Sequence, residues 1–205
     1  MDRTQKGFTL IEILVVVTII GVLAGLVVVL IPKGKEKASI AECQNNVRNL
    51  SGLFAQMKKL PTYSGVNLLL VLHAKGDLPD EGKLKLLFCP GDETGDSLER
   101  AGGLQAYKDV DLKKNGEYGN LSSYAGRDQL NRDCAASVSS MKTQAIISDD
   151  SEDHHNGKGF VVGYTDGSAK FRDKFDDWQI AVDTEVKVGE GSSVEELKCL
   201  RTDDN

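Results

Sequence analysis

The sequence predicts an α+β fold in which a long N-terminal helix packs on a small antiparallel β-sheet head. Apolar residues crowd the first 31 positions, which predicts a helix that is hydrophobic on all sides. An apolar stripe at helical spacing follows as far as Lys59, and short apolar runs between turn residues follow that. We therefore divide the chain into 1–7, 8–31, 32–59 and a globular head at 60–205.

Composition limits the classes of partner that the chain could have. The 205 residues carry a formal net charge of -6. An acidic surface gains nothing from the release of counterions on DNA, so we expect no nucleic-acid partner.

The apolar run at 8–31 predicts a membrane anchor, with Glu12 as its only charge. As a helix at about 1.5 Å per residue it would span roughly 36 Å, enough to cross a bilayer core. Arg3 and Lys6 on the short side predict a cytoplasmic N-terminus, an inner-membrane anchor and a periplasmic head. A signal anchor that is never cut is the alternative, whereas a cleaved secretory signal would have a shorter apolar run.

Glu12 is out of place in a plain anchor, because a carboxylate in hydrocarbon costs several kcal/mol unless it finds a partner. Cleavage between Gly7 and Phe8 would create a new α-amino group at nearly the same depth. The amine of a neighbouring subunit could then pair with Glu12, since the amine of the same helix lies one turn away.

The run from Lys6 to Val15 resembles the class III signal of type IV pilins and type II secretion pseudopilins. The resemblance implies a pilin-like fold and cleavage by prepilin peptidase after Gly7. It further implies N-methylation of Phe8, and pairing of Glu12 with the next subunit's N-terminus. The implied partners are further copies of the chain in a filament, prepilin peptidase and an inner-membrane assembly platform.

Beyond Pro32 the helix is predicted to continue with one apolar face and to stop before Pro61. The residues of this stripe recur at steps of three and four, which predicts packing against the head. They are Ile40, Cys43, Val47, Leu50, Phe54 and Met57.

The head is predicted to combine short helices with an antiparallel sheet. The predicted elements, in order, are a helix at Ser64–Ala74 capped by Ser64 and ended by Gly76, strands at Leu84–Phe88, Tyr118–Ala125 and Thr143–Ser148, a hairpin of Gly159–Tyr164 and Ser168–Phe171, a strand at Ile180–Val188 and a helix at Ser193–Leu200.

Three short motifs of the head resemble a branch of pilin-like proteins that end in a His…Asp-Gly hairpin. They are Phe88-Cys89-Pro90-Gly91-Asp92, Ser123-Tyr124-Ala125-Gly126, and His155-Asn156-Gly157 followed by Asp166-Gly167. That branch usually has nine residues between the His and the Asp-Gly, and this chain has about ten.

The four cysteines are widely spaced and form no CxxC motif, so neither a zinc ribbon nor a thioredoxin-like site is indicated. Disulfides among Cys43, Cys89, Cys134 and Cys199 and buried free thiols both remain open. A disulfide from Cys43 would join the long helix to the head.

An acidic loop beside two histidines is a candidate calcium site, with Asp149, Asp150 and Asp153 as its oxygen ligands. Type II secretion major pseudopilins, which the chain resembles in layout, carry calcium in a late loop of the sheet. A solvated acidic loop without metal is the alternative, and we expect no other cofactor.

No enzyme motif is present: the sequence has no His-Glu-x-x-His, no Gly-x-Ser-x-Gly and no phosphate-binding loop after a strand. We therefore expect a non-enzyme. Two functions remain: a structural subunit of a pilus or type II secretion filament, or a membrane-anchored periplasmic binding or adhesion module that does not polymerise.

Overall fold

The computed structural model describes residues 8–92, 97–114, 116–136, 142–181 and 183–202, without the side chains of 27–33 and Glu152. The chain divides into two compact units, Met1–Ala38 and Ser39–Asn205. The boundaries predicted from the sequence at residues 7, 31 and 59 stay predictions.

Among the described residues, four α-helices precede the sheet. Helix α1 is much the longest, and the others lie in the second unit with short 3-10 turns between them. The helices are α1 at Leu10–Ala55, α2 at Val66–Ala74, α3 at Glu81–Leu84 and α4 at Gly103–Lys108, with 3-10 helices at Lys85–Leu87, Gly119–Leu121 and Glu152–His155.

The second unit contains a five-stranded antiparallel sheet with the order β4-β3-β2-β1-β5. This confirms the α+β class. The strands are β1 at Tyr124–Arg127, β2 at Ala145–Asp149, β3 at Gly159–Tyr164, β4 at Ala169–Asp173 and β5 at Leu200–Arg201.

In the first unit, the described apolar side chains of α1 are exposed all round the helix, from Leu10 at 85% to Leu26 at 60%. Within the part of the chain that the structure describes, no helix combines the length and apolar composition needed to cross a membrane. The transmembrane position predicted for 8–31 is therefore not confirmed, and the side chains of 27–33 lie outside the described residues.

The second half of α1 follows the predicted amphipathic pattern. Cys43, Val47, Leu50 and Phe54 are fully buried. The helix ends at Ala55, before Lys59 where we predicted its end.

The sheet has a hydrophobic core on each face, because successive side chains of a strand point to opposite sides. Tyr124 and Val161 belong to the first core, with the buried stripe of α1 and with α2. Ala125 and Phe160 belong to the second core, which C-terminal residues cover.

Two predicted strands of the head are wrong. Leu84 to Leu87 are helical rather than extended, since Asp80 caps α3 by accepting a hydrogen bond from the amide of Lys83 at 3.0 Å. The described residues of Ile180–Val188 form no strand. The side chains of Val186 and Val188 pack in the second core, and the strand that pairs with the free side of β1 is β5.

The helix predicted at Ser193–Leu200 is also wrong. The amide of Leu197 donates to the carbonyl of Val194, and the amide of Leu200 donates to the carbonyl of Leu197. These bonds form turns that lead into β5. The side chains of Val194, Leu197 and Leu200 are nevertheless buried together in the second core.

The start of α2 differs from the prediction, and its end agrees with it. Gly65, not Ser64, is the N-cap. Gly76 ends the helix as predicted, with a φ of 85° and a hydrogen bond from its amide to the carbonyl of His73.

Candidate functional site

The N-terminal signal is described from Phe8 onward, and Gly7 lies outside the described residues. The amide and hydroxyl of Thr9 each donate to Glu12 Oε2 at 2.7 Å, and the amide of Glu12 donates to Thr9 Oγ1 at 3.4 Å. This reciprocal pair is a capping box at the start of α1.

The sequence contained the signal for this cap, because Thr9 and Glu12 stand in the spacing Thr-x-x-Glu before an apolar run. From the sequence, Glu12 was predicted to pair only with the N-terminal amine of a neighbouring subunit. The structure shows that within one chain Glu12 Oε2 already accepts two hydrogen bonds from Thr9.

The head contains a second polar site, a buried group of four residues that we call the thiol cluster: Cys43, Cys89, Asp149 and His155. Each has one candidate ligand atom, and these atoms all lie within 4.8 Å of one another. The residues come from α1, from the turn after Lys85–Leu87, from the end of β2 and from the 3-10 helix Glu152–His155.

The contacts within the thiol cluster are direct. Cys43 Sγ donates to Asp149 Oδ1 at 3.1 Å, and His155 Nε2 lies 3.2 Å from Asp149 Oδ2. Cys89 Sγ lies 3.7 Å from the same nitrogen of His155. Asp149 Oδ2 also accepts the amide of Val161 at 2.6 Å, which fixes the carboxylate against β3.

His154, one position before the cluster ligand, contacts its carboxylates from outside. Its Nδ1 lies 3.8 Å from Asp149 Oδ1, while its Nε2 lies 3.5 Å from Asp92 and 3.3 Å from Asp150. Tyr124 Oη lies 3.4 Å from Cys43 Sγ. The four central residues are thus surrounded by groups that orient them.

The electrostatics favour charged groups in this buried site. Burial alone would lower the pKa of His155, but its hydrogen bonds and charge interactions with Asp149 and Cys89 together outweigh this and raise the pKa to about 9. Burial would also lower the pKa of His154, but its interactions with Asp149, Cys89 and Asp150 together raise it to about 11. For Asp149, burial is outweighed by both histidines, and its pKa lies below the usual range.

The two thiols are shifted in opposite directions. The hydrogen bond with Cys43 lowers the pKa of Cys89 to about 5, while burial raises the pKa of Cys43 well above its usual value. Cys89 is therefore the thiol that ionises first.

The residues predicted to hold calcium do not share one environment. Asp149 is fully buried in the thiol cluster, Asp150 is partly buried beside His154, and Asp153 is exposed. Asp149 faces sulfur and nitrogen atoms, which are not the oxygen ligands that calcium prefers. The calcium hypothesis stays a prediction.

The four cysteines form one disulfide and leave two free thiols. Cys134 and Cys199 form a disulfide, whereas Cys43 and Cys89 are free and buried. The disulfide that we considered for Cys43 as a link between helix and head is therefore not formed.

The geometry of the thiol cluster differs from that of a nucleophilic triad. In a triad the acid holds the nitrogen opposite to the one that faces the nucleophile. Here Cys89 and Asp149 both approach Nε2 of His155, while its Nδ1 has no hydrogen-bond partner among the described residues. The atoms converge on one centre, as ligands do.

Sequence reasoning missed the thiol cluster because no two of its members stand in a short motif. The available signals were separate: Cys43 on the buried stripe, Cys89 before Pro90, and Asp149 at the end of a strand. Only the fold brings them together.

Comparison with known proteins gave a family match and a similar protein. Residues 2–28 match the family described as "Prokaryotic N-terminal methylation motif". The chain is 47% identical over 57 residues to the type II secretion system core protein G of Dickeya chrysanthemi. That match covers 28% of this chain and 35% of the relative, so the chain matches about a third of the relative's length.

No solved structure matches the chain. The family match at residues 2–28 includes Phe8 and Glu12, and the α+β arrangement is consistent with a pilin-like fold. In its N-terminal motif, and over 28% of its length, the chain is therefore similar to proteins of the type IV pilin and pseudopilin family.

Proposed function

We propose that this chain is a structural subunit of a type II secretion or type IV pilus-like filament and assembles through its N-terminal helix. Prepilin peptidase cuts between Gly7 and Phe8 and methylates Phe8. The matched methylation motif is the observation that carries this proposal.

The surface of α1 supports assembly through the helix. Phe8 is 84% exposed, and large apolar side chains remain exposed around the helix as far as Leu26. An apolar surface of this extent must be covered by lipid or by other proteins. A membrane before assembly and neighbouring helices after it would cover the same surface.

The proposed location and partners follow from this cycle. The anchor lies in the inner membrane with its N-terminus in the cytoplasm and its head in the periplasm, and an inner-membrane platform adds the subunit to the filament. Glu12 pairs with the α-amino group of the neighbouring subunit, which compensates the negative charge of a carboxylate in an apolar surrounding.

Glu12 gives the test, because its two roles can be separated. Glu12→Gln removes the charge but keeps a side chain that completes a capping box, whereas Thr9→Val removes the cap and keeps the charge. We expect Glu12→Gln to reduce sheared filaments at least about tenfold, since breaking a buried ion pair costs about 3–5 kcal/mol. Thr9→Val should assemble near the native level.

Immunoblots of sheared filament and membrane fractions from the same cells provide the measurement, with total subunit as the loading control. Normal filaments from Glu12→Gln would contradict the role of the charge. Loss of filaments from Thr9→Val alone would show that Glu12 acts through the cap. No filaments from the native chain with all assembly components present would favour a membrane-anchored module that does not polymerise.

A further inference from the structure

The thiol cluster offers a donor set with a clear metal preference. Two thiols, one imidazole and one carboxylate are borderline-soft to soft ligands, and sets of sulfur and nitrogen atoms in a tetrahedral arrangement are typical of zinc. Calcium and magnesium instead require cages of oxygen atoms.

The spacing of the donor atoms fits a small tetrahedral site. Zinc bonds of about 2.0–2.3 Å place neighbouring ligand atoms roughly 3.3–3.8 Å apart. Cys43 Sγ lies 3.1 Å from Asp149 Oδ1, and His155 Nε2 lies 3.2 Å from Asp149 Oδ2. Cys89 Sγ lies 3.7 Å from the same nitrogen of His155. All four atoms lie within 4.8 Å, so side-chain shifts of roughly 1 Å would close the tetrahedron.

We propose that Cys43, Cys89, Asp149 and His155 bind one zinc ion that holds α1 against the sheet of the head. The ion replaces the thiol protons of the two cysteines and takes Nε2 of His155 as a neutral ligand. This assignment does not depend on filament assembly.

Burial makes the site structural rather than catalytic. Cys43 and Asp149 are 0% exposed, His155 is 1% and Cys89 is 3% exposed. Four protein ligands complete a tetrahedron, and a closed site of this kind leaves no position for a substrate or a water.

The surroundings provide the outer contacts that metal sites use. The amide of Gly91 lies 3.4 Å from Cys89 Sγ as a donor, which favours a thiolate. Val161 and His154 hold Asp149 from outside the cluster. A Cβ at Gly91 would overlap the His154 carbonyl oxygen and lie 3.0 Å from Nδ1 of His155, so the turn fits closely only as glycine.

A route for the ion is present at the surface. A pocket of about 630 Å³ reaches Cys89 and Asp92 and has Glu42 and Asn46 in its wall. Its lining contains three acidic residues, Glu42, Asp92 and Glu99, and one basic residue, Lys85, and this excess of negative charge favours a divalent cation.

The test uses the full chain, purified in detergent with its thiols kept reduced. We expect about one zinc per chain by elemental mass spectrometry. After removal of zinc by a chelator, Co²⁺ should produce thiolate-to-cobalt charge-transfer absorption and tetrahedral ligand-field bands. Cys43→Ala, Cys89→Ala and His155→Gln should each weaken Co²⁺ binding at least about tenfold, since even outer contacts are worth 10–100-fold.

Matched variants outside the cluster serve as controls. His73→Gln removes a partly buried histidine of α2, and the double variant Cys134→Ala/Cys199→Ala removes two other cysteines. Both should retain one zinc and the cobalt spectrum.

Two results would overturn the proposal. One is a chain with native circular dichroism that holds no zinc and gives no cobalt charge-transfer band. The other is a Cys43–Cys89 disulfide in peptides of protein alkylated inside intact cells, which would show that the thiols pair with each other. The unsubstituted chain decides both, so a variant that fails to fold does not affect the outcome.

Discussion

Gly163 shows how a single residue sets the distance between helix and sheet. A Cβ at this position of β3 would overlap Ser51 Oγ and lie 2.6 Å from Val47 Cγ1, both on α1. The absence of a side chain therefore lets the helix approach the strand closely enough to bury Val47 completely.

Gly163→Ala is expected to lower the free energy of unfolding by about 1–3 kcal/mol, because the added methyl group overpacks the interface. Gly191→Ala is the control, since a Cβ there meets nothing within 4 Å. Denaturant unfolding followed by the fluorescence of Trp178, which packs on Phe160, measures both. Equal midpoints for the two variants would contradict this account of the packing.

At the same scale, the sequence was informative where function depends on adjacent positions. Gly7, Phe8 and Glu12 stand in one short motif, so a local pattern predicts their roles. Cys89 and His155 are 66 positions apart and meet only in the folded head. A pattern of spacings along the chain cannot express such a contact.

At the scale of elements, the disulfide Cys134–Cys199 secures the short edge strand β5. Cys199 precedes Leu200, which pairs with Arg127 and is buried in the second core. Two strand residues alone provide little pairing, so the cross-link and the buried side chains hold the end of the chain on the sheet.

Cys134→Ala/Cys199→Ala is therefore expected to lower the free energy of unfolding by about 2–4 kcal/mol, as the bridge spans 65 positions. Hydrogen exchange should accelerate most at Leu200 and Arg201. The unsubstituted chain with and without reductant is the comparison. An unchanged unfolding midpoint and unchanged exchange at β5 would show that side-chain packing alone holds the strand.

Sequence patterns predicted elements well where two independent signals agreed. The strand Gly159–Tyr164 and the turn at Asp166 and Gly167 are confirmed, since alternation and turn residues agree there. The strand predicted at Leu84–Phe88 was wrong because a short apolar run does not distinguish a strand from a helix. The cap at Asp80 favours the helix there.

At the scale of the whole molecule, the chain combines an exposed apolar helix with a head that has its own two cores. The α+β class was predictable from the order of elements. The second core was not predictable. The described residues that cover it, between Trp178 and Leu200, pack through their side chains and form no regular element before the start of β5.

The central claim is that the chain is processed as a prepilin, and the intact mass of the protein tests it most directly. The protein would be purified from membranes of cells with and without prepilin peptidase. We predict loss of residues 1–7 and one added methyl group on Phe8 only where the peptidase is present. An unprocessed N-terminus beside active peptidase would contradict the claim and indicate an uncut signal anchor.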